Sequence, residues 1–259
     1  MLRPEGLEYR GGAWDRLYDA YQKEYPIEAR ISRVTWENDN PVWILDLDVA
    51  KGYVLSSETG LGDAALIQKF TGQIVFVKIK KINKKSGIVT CSRREAIADA
   101  REELFKQLKV GQEVNAVVRV ITPKHLLVDV GGGVLVNVPR SAATKRRAFR
   151  LNEIFSPGQV VTAKVVALDE ESDIISVTMV NGASPWETAM EFRRGEKVAG
   201  VVVHLNSEFV MVEMIDEPGL VGIADPPLDG KIGRGDRVTC KVKNFNREKK
   251  KLSLVLLCP

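Results

Sequence analysis

The chain has 259 residues, 44% of them hydrophobic and 28% charged, with a formal net charge of +4. That length suits one large domain or two to three small ones, and the mildly basic balance permits an RNA partner without requiring one. No run approaches the roughly 20 apolar residues that span a bilayer, and the opening MLRPEGLEYRGG lacks the apolar core of a secretory signal, so no membrane partner and a cytoplasmic location are expected.

In chain order, residues 1–25 are an N-terminal segment in which 14–23 has amphipathic helical spacing. Residues 26–94 then hold five strand-like runs. The first alternates through Ile27, Ala29 and Ile31 toward Val34. The second covers 42–47 and the third 52–55. Gly72 leads the fourth through Val75, Val77 and Ile79 to Ile82 and Asn83, and the fifth covers 88–92.

Another helical run fills 93–109, with 95–110 as the linker. Residues 111–180 repeat the plan: Val114, Ala116 and Val118 toward Ile121, then 126–130, then 134–137. Gly158 leads Val161, Ala163 and Val165 to Leu168 and Asp169, and 174–178 close the unit. A second linker, 181–196, opens on Ser184 and Pro185, an N-cap followed by a first-turn proline, and its helical run is 186–193. Residues 197–259 repeat the plan again. Val198, Gly200 and Val202 lead toward Leu205, followed by 209–214 and 219–222. Gly235 leads Val238, Cys240 and Val242 to Phe245 and Asn246, and 252–255 come last.

The apolar offsets from Gly72, Gly158 and Gly235 are identical, as is an outward lysine at Lys78, Lys164 and Lys241. Ala29, Ala116 and Gly200 place a small residue in one slot, which suits a tightly coiled barrel where another backbone comes close. Tyr21, Leu108 and Phe192 fall in matching places and are expected to plug the barrel ends. The expected fold is therefore mainly β: three tandem five-stranded OB-fold barrels, partly open Greek keys joined by short helices. So small a barrel buries a small core, so helix-on-barrel packing should matter. By the same reading Trp14 and Trp186 anchor helices, Trp43 is core, and 131–133 (three glycines) make a tight turn.

The phrases VGQEVNAVVRVI, LLVDVGGG, GQVVTAKVVALDEESDIISV and GDRVTCKVKNFNREKKKLSL resemble the S1 RNA-binding domain family. SRREAIADAREELFKQLKVGQ is similar to the joints between successive S1 domains. Three such units in series resemble a shortened bacterial ribosomal protein S1. The resemblance implies single-stranded RNA binding on the barrel face, with aromatic residues on the second strand. A His in the third strand, an Asp after the fourth and an Arg opening the fifth support them. Carried over, the second-strand positions are Val42 and Ile44, His125 and Leu127, and Phe209 and Met211. The His slot holds Leu55, Asn137 and Gly222, the Asp slot Asn83, Asp169 and Asn246, and the Arg slot Ile88, Ile174 and Lys251.

RNA binding needs cations for phosphates and flat side chains for bases. The candidates are Phe76, Lys78 and Lys80 in the first unit, and Lys145, Arg146 and Arg147 in the long connection of the second. In the third they are Phe209, Met211, Lys241, Lys243 and Lys251. Each has a plainer reading: turn lysines are solvated by default, and Phe76 can be covered by a linker helix. Trp36, placed in the loop before the second strand, could stack on a base.

The three cysteines, Cys91, Cys240 and Cys258, are far apart and odd in number. They suggest buried or incidental thiols, with neither a disulfide framework nor a zinc site. His125 and His204 stand alone. No nucleophile–base pair, acidic cluster at metal spacing or cofactor fingerprint occurs, so no catalytic residue, cofactor or metal is expected and the chain does not read as an enzyme. The expectation is a monomeric single-stranded RNA-binding adaptor, with the small ribosomal subunit or another protein as a further partner. The alternative is a protein-interaction scaffold or regulatory subunit of an RNA-processing or transcription complex.

Overall fold

The computed structural model describes residues 12–180, 182–227 and 232–257. The start of the N-terminal segment and Cys258 lie outside the described residues. Among the described residues, fifteen strands form three five-stranded sheets.

The first sheet comprises β1 (Ile27–Glu37), β2 (Asn40–Asp46), β3 (Lys51–Val54), β4 (Ile74–Asn83) and β5 (Ile88–Ser92). It closes into a barrel of order β1-β2-β3-β5-β4. Asn38 and Asp39, both at positive φ, make the tight turn between β1 and β2, where such residues tolerate left-handed backbone. The second sheet comprises β6 (Glu113–Ile121), β7 (His125–Asp129), β8 (Leu135–Pro139), β9 (Val160–Asp169) and β10 (Ile174–Thr178). The third comprises β11 (Lys197–Leu205), β12 (Val210–Met214), β13 (Val221–Ala224), β14 (Arg237–Asn246) and β15 (Lys251–Leu257), and it closes in the same order as the first.

The alternation read from the sequence is the one that buries. Val75, Val77 and Ile79 are core, as are Ala163 and Val165 with Val161 against them, and Cys240 and Val242 with Val238 against them. Ala29, Ala116 and Gly200 face Val75, Val161 and Val238 across the β1–β4, β6–β9 and β11–β14 ladders. Each sheet also carries two bulges at matched places. Ser32, Arg119 and Val203 interrupt the first strands, and Lys80, Val166 and Lys243 the fourth. An extra residue there sharpens the coil that a small barrel needs.

The middle unit corrects the expectation of three closed barrels: its sheet is open, with order β10-β9-β6-β7-β8. In the closed sheets, β3 pairs in parallel with β5 through Gly52 and Val89, and β13 with β15 beside Gly222. A Cβ at Gly222 would lie 2.5 Å from Leu254 Cδ1, and one at Gly52 would lie 2.9 Å from Leu45 Cβ. The equivalent slot in the middle sheet, opposite Val128, holds buried Val136. With that side chain inside, β8 has no parallel ladder with β10. The end of β10 bonds instead to α4 (Arg140–Ala143): Met179 N–H and Thr178 Oγ1 both donate to the Ala142 carbonyl, at 2.8 and 3.1 Å.

The helices depart from expectation at two points. α1 (Ala13–Lys23) buries Leu17 and Ala20, while Tyr21 is 41% exposed and plugs nothing; Leu108 and Phe192 do join the second and third cores. α2 (Ala64–Lys69) presents its Ile67 carbonyl to Trp43 Nε1, the buried indole at the centre of the first core. α3 (Arg93–Gln107) is capped by Ser92, whose hydroxyl accepts the Glu95 N–H. After α5 (Leu151–Ile154), the third helical run shrinks to one turn, α6 (Pro185–Thr188). Beyond it, Ala189 O accepts from Arg247 and Met190 N–H donates to Glu217 Oε1, bonds a continuing helix would have kept internal.

Candidate nucleic-acid interface

Cross-strand register sets which side chains share the outer face of each sheet. On the third sheet His204, Met211, Ile223, Ser253 and Asn244 stand opposite one another on successive strands. Ile223 is 48% exposed, Met211 is half-buried, and the His204 and Phe209 rings lie 5.9 Å apart. Lys241 is paired with exposed Val255 on the adjoining strands. The sequence reading had found Phe209, Met211 and Lys241 but not His204 or Ile223. The matching row on the first sheet is Arg33, Ile44, Tyr53, Thr90 and Lys81. Here Val42 and Ile44, expected to face outward, are buried, and half-buried Tyr53 carries the aromatic surface between exposed Arg33 and Lys81. On the middle sheet the row begins with Val120, Leu127 and Asn137. Val120 belongs to the core of the first sheet, and Leu127 and Leu135 pack against it. The middle outer face is thus turned onto protein.

The candidates of the first unit are engaged by α3 as well. α3 lies along β4. Lys78 is ion-paired with Asp99, Lys80 with Glu95 at 2.6 Å, and Arg94 with Glu58 at 2.9 Å. The Glu95 carboxylate raises the Lys80 ammonium above its ordinary range. The Ser92 hydroxyl and then Arg94 hold Glu58 below the usual carboxylate range. Phe76 lines a small cavity with Ala96, Asp99 and Gly132, so the helix-cover reading describes its surroundings. Lys80 is also the bulge residue of β4, as Lys243 is of β14, so neither simply continues the alternation of Lys78 and Lys241. Lys241, Lys243 and Lys251 are exposed and have no ion-pair partner among the described residues.

In the second unit, Lys145 Nζ donates to the Ala183 carbonyl, Arg146 lies over the Phe149 ring at 5.5 Å, and Arg147 is exposed. Their loop is fastened by its backbone. Buried Glu213 accepts the N–H of Arg147 at 2.8 Å and of Ala148 through Oε2, and that of Gly219 at 2.8 Å through Oε1. The same register position holds Asp46 in the first sheet and Asp129 in the second. Asp129 binds Arg119 at 2.7 Å and caps the N–H groups of Gly131 and Gly133, confirming the glycine run as a tight turn. Arg119 reaches on to the Ile74 carbonyl of the first sheet, and buried Arg93 joins the Thr59 carbonyl to that of Gly133. Burial pulls the Arg93 guanidinium down to about 10.

Register also revises the transferred positions. Leu55 follows Val54, which is level with Val138 and Ala224; its counterparts are therefore Pro139 and Asp225, and Asn137 and Gly222 lie off that slot. Asn83, Asp169 and Asn246 share one slot as expected, and each side chain caps its hairpin by accepting the N–H of Ser86, Ser172 or Lys249. Trp36 is 53% exposed but belongs to β1, not to a loop. Trp14 packs on the first core, and Trp186 stacks on Phe245 at 6.1 Å. Cys91 and Cys240 are free and buried, and no group of three or more metal-ligating side chains occurs among the described residues. No helix among them is long and apolar enough to cross a membrane.

A family described as the S1 RNA binding domain matches residues 107–179. The chain is 27% identical over 221 residues to small ribosomal subunit protein bS1 of Rhizobium meliloti (strain 1021), covering 83% of this chain and 38% of that protein. It is 26% identical over 227 residues to bS1 of Streptococcus pneumoniae, covering 81% of this chain and 56% of that protein. Against the bS1 homolog of Bacillus subtilis it is 24% identical over 261 residues, covering 93% of this chain and 65% of that protein. The chain therefore spans between 38% and 65% of the length of these relatives. On this footing it carries an S1 RNA-binding domain of the OB-fold type and is a distant homologue of the bS1 ribosomal proteins.

Proposed function

We propose that the chain is an adaptor that binds single-stranded RNA through the outer face of its third sheet, with ribosome association as its setting. The observation that carries this reading is the outward row of exposed His204, half-buried Met211 and exposed Ile223 beside Phe209, flanked by Lys241, which has no ion-pair partner among the described residues. Stacking on such a surface is worth about 1–3 kcal/mol per base, and Lys241, Lys243 and Lys251 supply the phosphate attraction. Arg33, Tyr53 and Lys81 on the first sheet form a second, smaller platform of the same kind. Two weak sites on one chain gain affinity through effective concentration.

The test is titration of a labelled single-stranded oligonucleotide at two salt concentrations. Phe209→Ala with Met211→Ala should weaken binding by about tenfold or more. Lys241→Gln, Lys243→Gln and Lys251→Gln together should make the salt slope shallower by about 2. Unchanged affinity and slope in both variants would remove the third sheet from the site. A protein scaffold is the second reading, favoured by the middle sheet, whose equivalent face already packs on protein. Absence of saturable RNA binding by the unaltered chain at low salt would establish it over the first.

A further inference from the structure

A cleft of about 470 Å³ is lined by residues of the second and third units. Arg140, Arg147 and Arg150 line it from the connection after β8, together with Phe149; Arg234 reaches it from the connection before β14, and Thr122 from the turn before β7. No carboxylate lines it among the described residues. Arg147, Arg150 and Arg234 have no ion-pair partner among the described residues. Four like charges facing one cavity repel each other, and an anion inside relieves that cost.

The cleft is also built rather than incidental. Arg140 spends part of its guanidinium on the carbonyls of Arg146 and Phe149, at 2.9 and 2.5 Å, shaping the wall from within. Glu213 grips the N–H groups of Arg147 and Ala148 from the other side, so the loop is held without using the Arg147 side chain. A wall fixed before the ligand arrives loses less entropy on binding. Guanidinium groups present paired donors that match phosphate oxygens.

We infer that this arginine cleft binds the phosphates of an RNA strand where it passes from the second unit to the third. The inference rests on the RNA-binding reading but uses residues separate from the third-sheet face. The phosphate chemistry is shared by a free nucleotide, so ATP is the second probe. The full chain is compared with Arg147→Gln/Arg150→Gln/Arg234→Gln, leaving Arg140 in place because it shapes the wall. Thermal unfolding of both proteins checks that the fold survives, and the matching Arg→Lys triple keeps charge while removing the fork.

For a labelled oligouridylate, the Gln triple should bind at least about tenfold more weakly, with a salt slope shallower by about 2, and the Lys triple should recover the slope but not the full affinity. Oligouridylate binding unchanged in the Gln triple overturns the cleft and leaves the third-sheet reading standing. Saturable ATP binding lost in the Gln triple, without oligouridylate binding by the unaltered chain, keeps the phosphate cleft and ends the RNA reading. Binding of neither probe ends both.

Discussion

Glu213 Oε2 accepts the backbone N–H of Arg147 at 2.8 Å, joining a strand of the third sheet to the long connection of the second. Because the carboxylate is buried and also serves Ala148 and Gly219, its removal strands three amide donors. Glu213→Ala should destabilise the chain by about 3 kcal/mol, and Glu213→Gln by less, since one acceptor oxygen remains. Denaturant unfolding measures both, and limited proteolysis should show earlier cutting within 144–150. A Glu213→Ala variant as stable as the unaltered chain would mean the bonds contribute nothing net.

Arg93 plays the corresponding part between the first and second sheets. Its two donors reach Thr59 and Gly133, and its guanidinium lies over the Phe70 ring at 5.4 Å. Arg93→Met keeps most of the volume but leaves two carbonyls without their donor, for a loss of about 2–4 kcal/mol. Arg93→Lys, with no fork to span both carbonyls, should recover only part. Equilibrium unfolding of the two variants decides the point.

Gly222 is the contact through which the third barrel closes. With Leu254 Cδ1 only 2.5 Å from where a Cβ would stand, Gly222→Ala forces β13 away from β15 at a cost of about 1–3 kcal/mol. The same change at exposed Gly62, where nothing lies within 4 Å, is the control and should cost much less. Amide hydrogen exchange should show lost protection at Ile223 and Leu254 in the first variant alone.

Burial pushes the Cys91 thiol up to about 12 and Cys240 up to about 11. The folded chain therefore keeps protons that the unfolded chain releases above about 9, the ordinary thiol value. Their contribution is complete below that pH and is lost as pH rises toward the folded values, by up to roughly 1.4 kcal/mol per pH unit for Cys91. Unfolding measured at pH 8 and at pH 10 should show this loss, and Cys91→Ala with Cys240→Ala should flatten it. Equal slopes in the two proteins would contradict it.

The interior was legible because burial repeats with period two and the three copies corroborate one another: Val77, Ala163 and Cys240 occupy equivalent core slots. The outer face was less so, for two physical reasons. A bulge shifts every later residue on its strand relative to the partner, and nothing in the residue types at Lys80 or Lys243 announces one. The carried-over third-strand positions failed similarly, since only the ladder shows that Leu55 is level with Pro139. Exposure, moreover, depends on distant chain. Phe76 and Lys78 look available until α3 is laid across them, and Leu127 until the first barrel packs there. Asp46, Asp129 and Glu213 share one register position that the ladders reveal, and its division into a solvent-facing group, a turn cap and a loop clasp arises only from the neighbours each meets.

That division gives the chain a direction. Glu213 follows the amides it holds by 65 to 66 residues of chain, so the connection 144–150 emerges in synthesis before its clasp exists. The arginine-bearing wall it carries would acquire its final shape late, once the third unit has been made. A chain halted before β12 would present those cations on a loop that keeps its Arg140 bonds but lacks the Glu213 clasp, so truncation after the middle unit should not be expected to yield a faithful two-unit version of the intact protein.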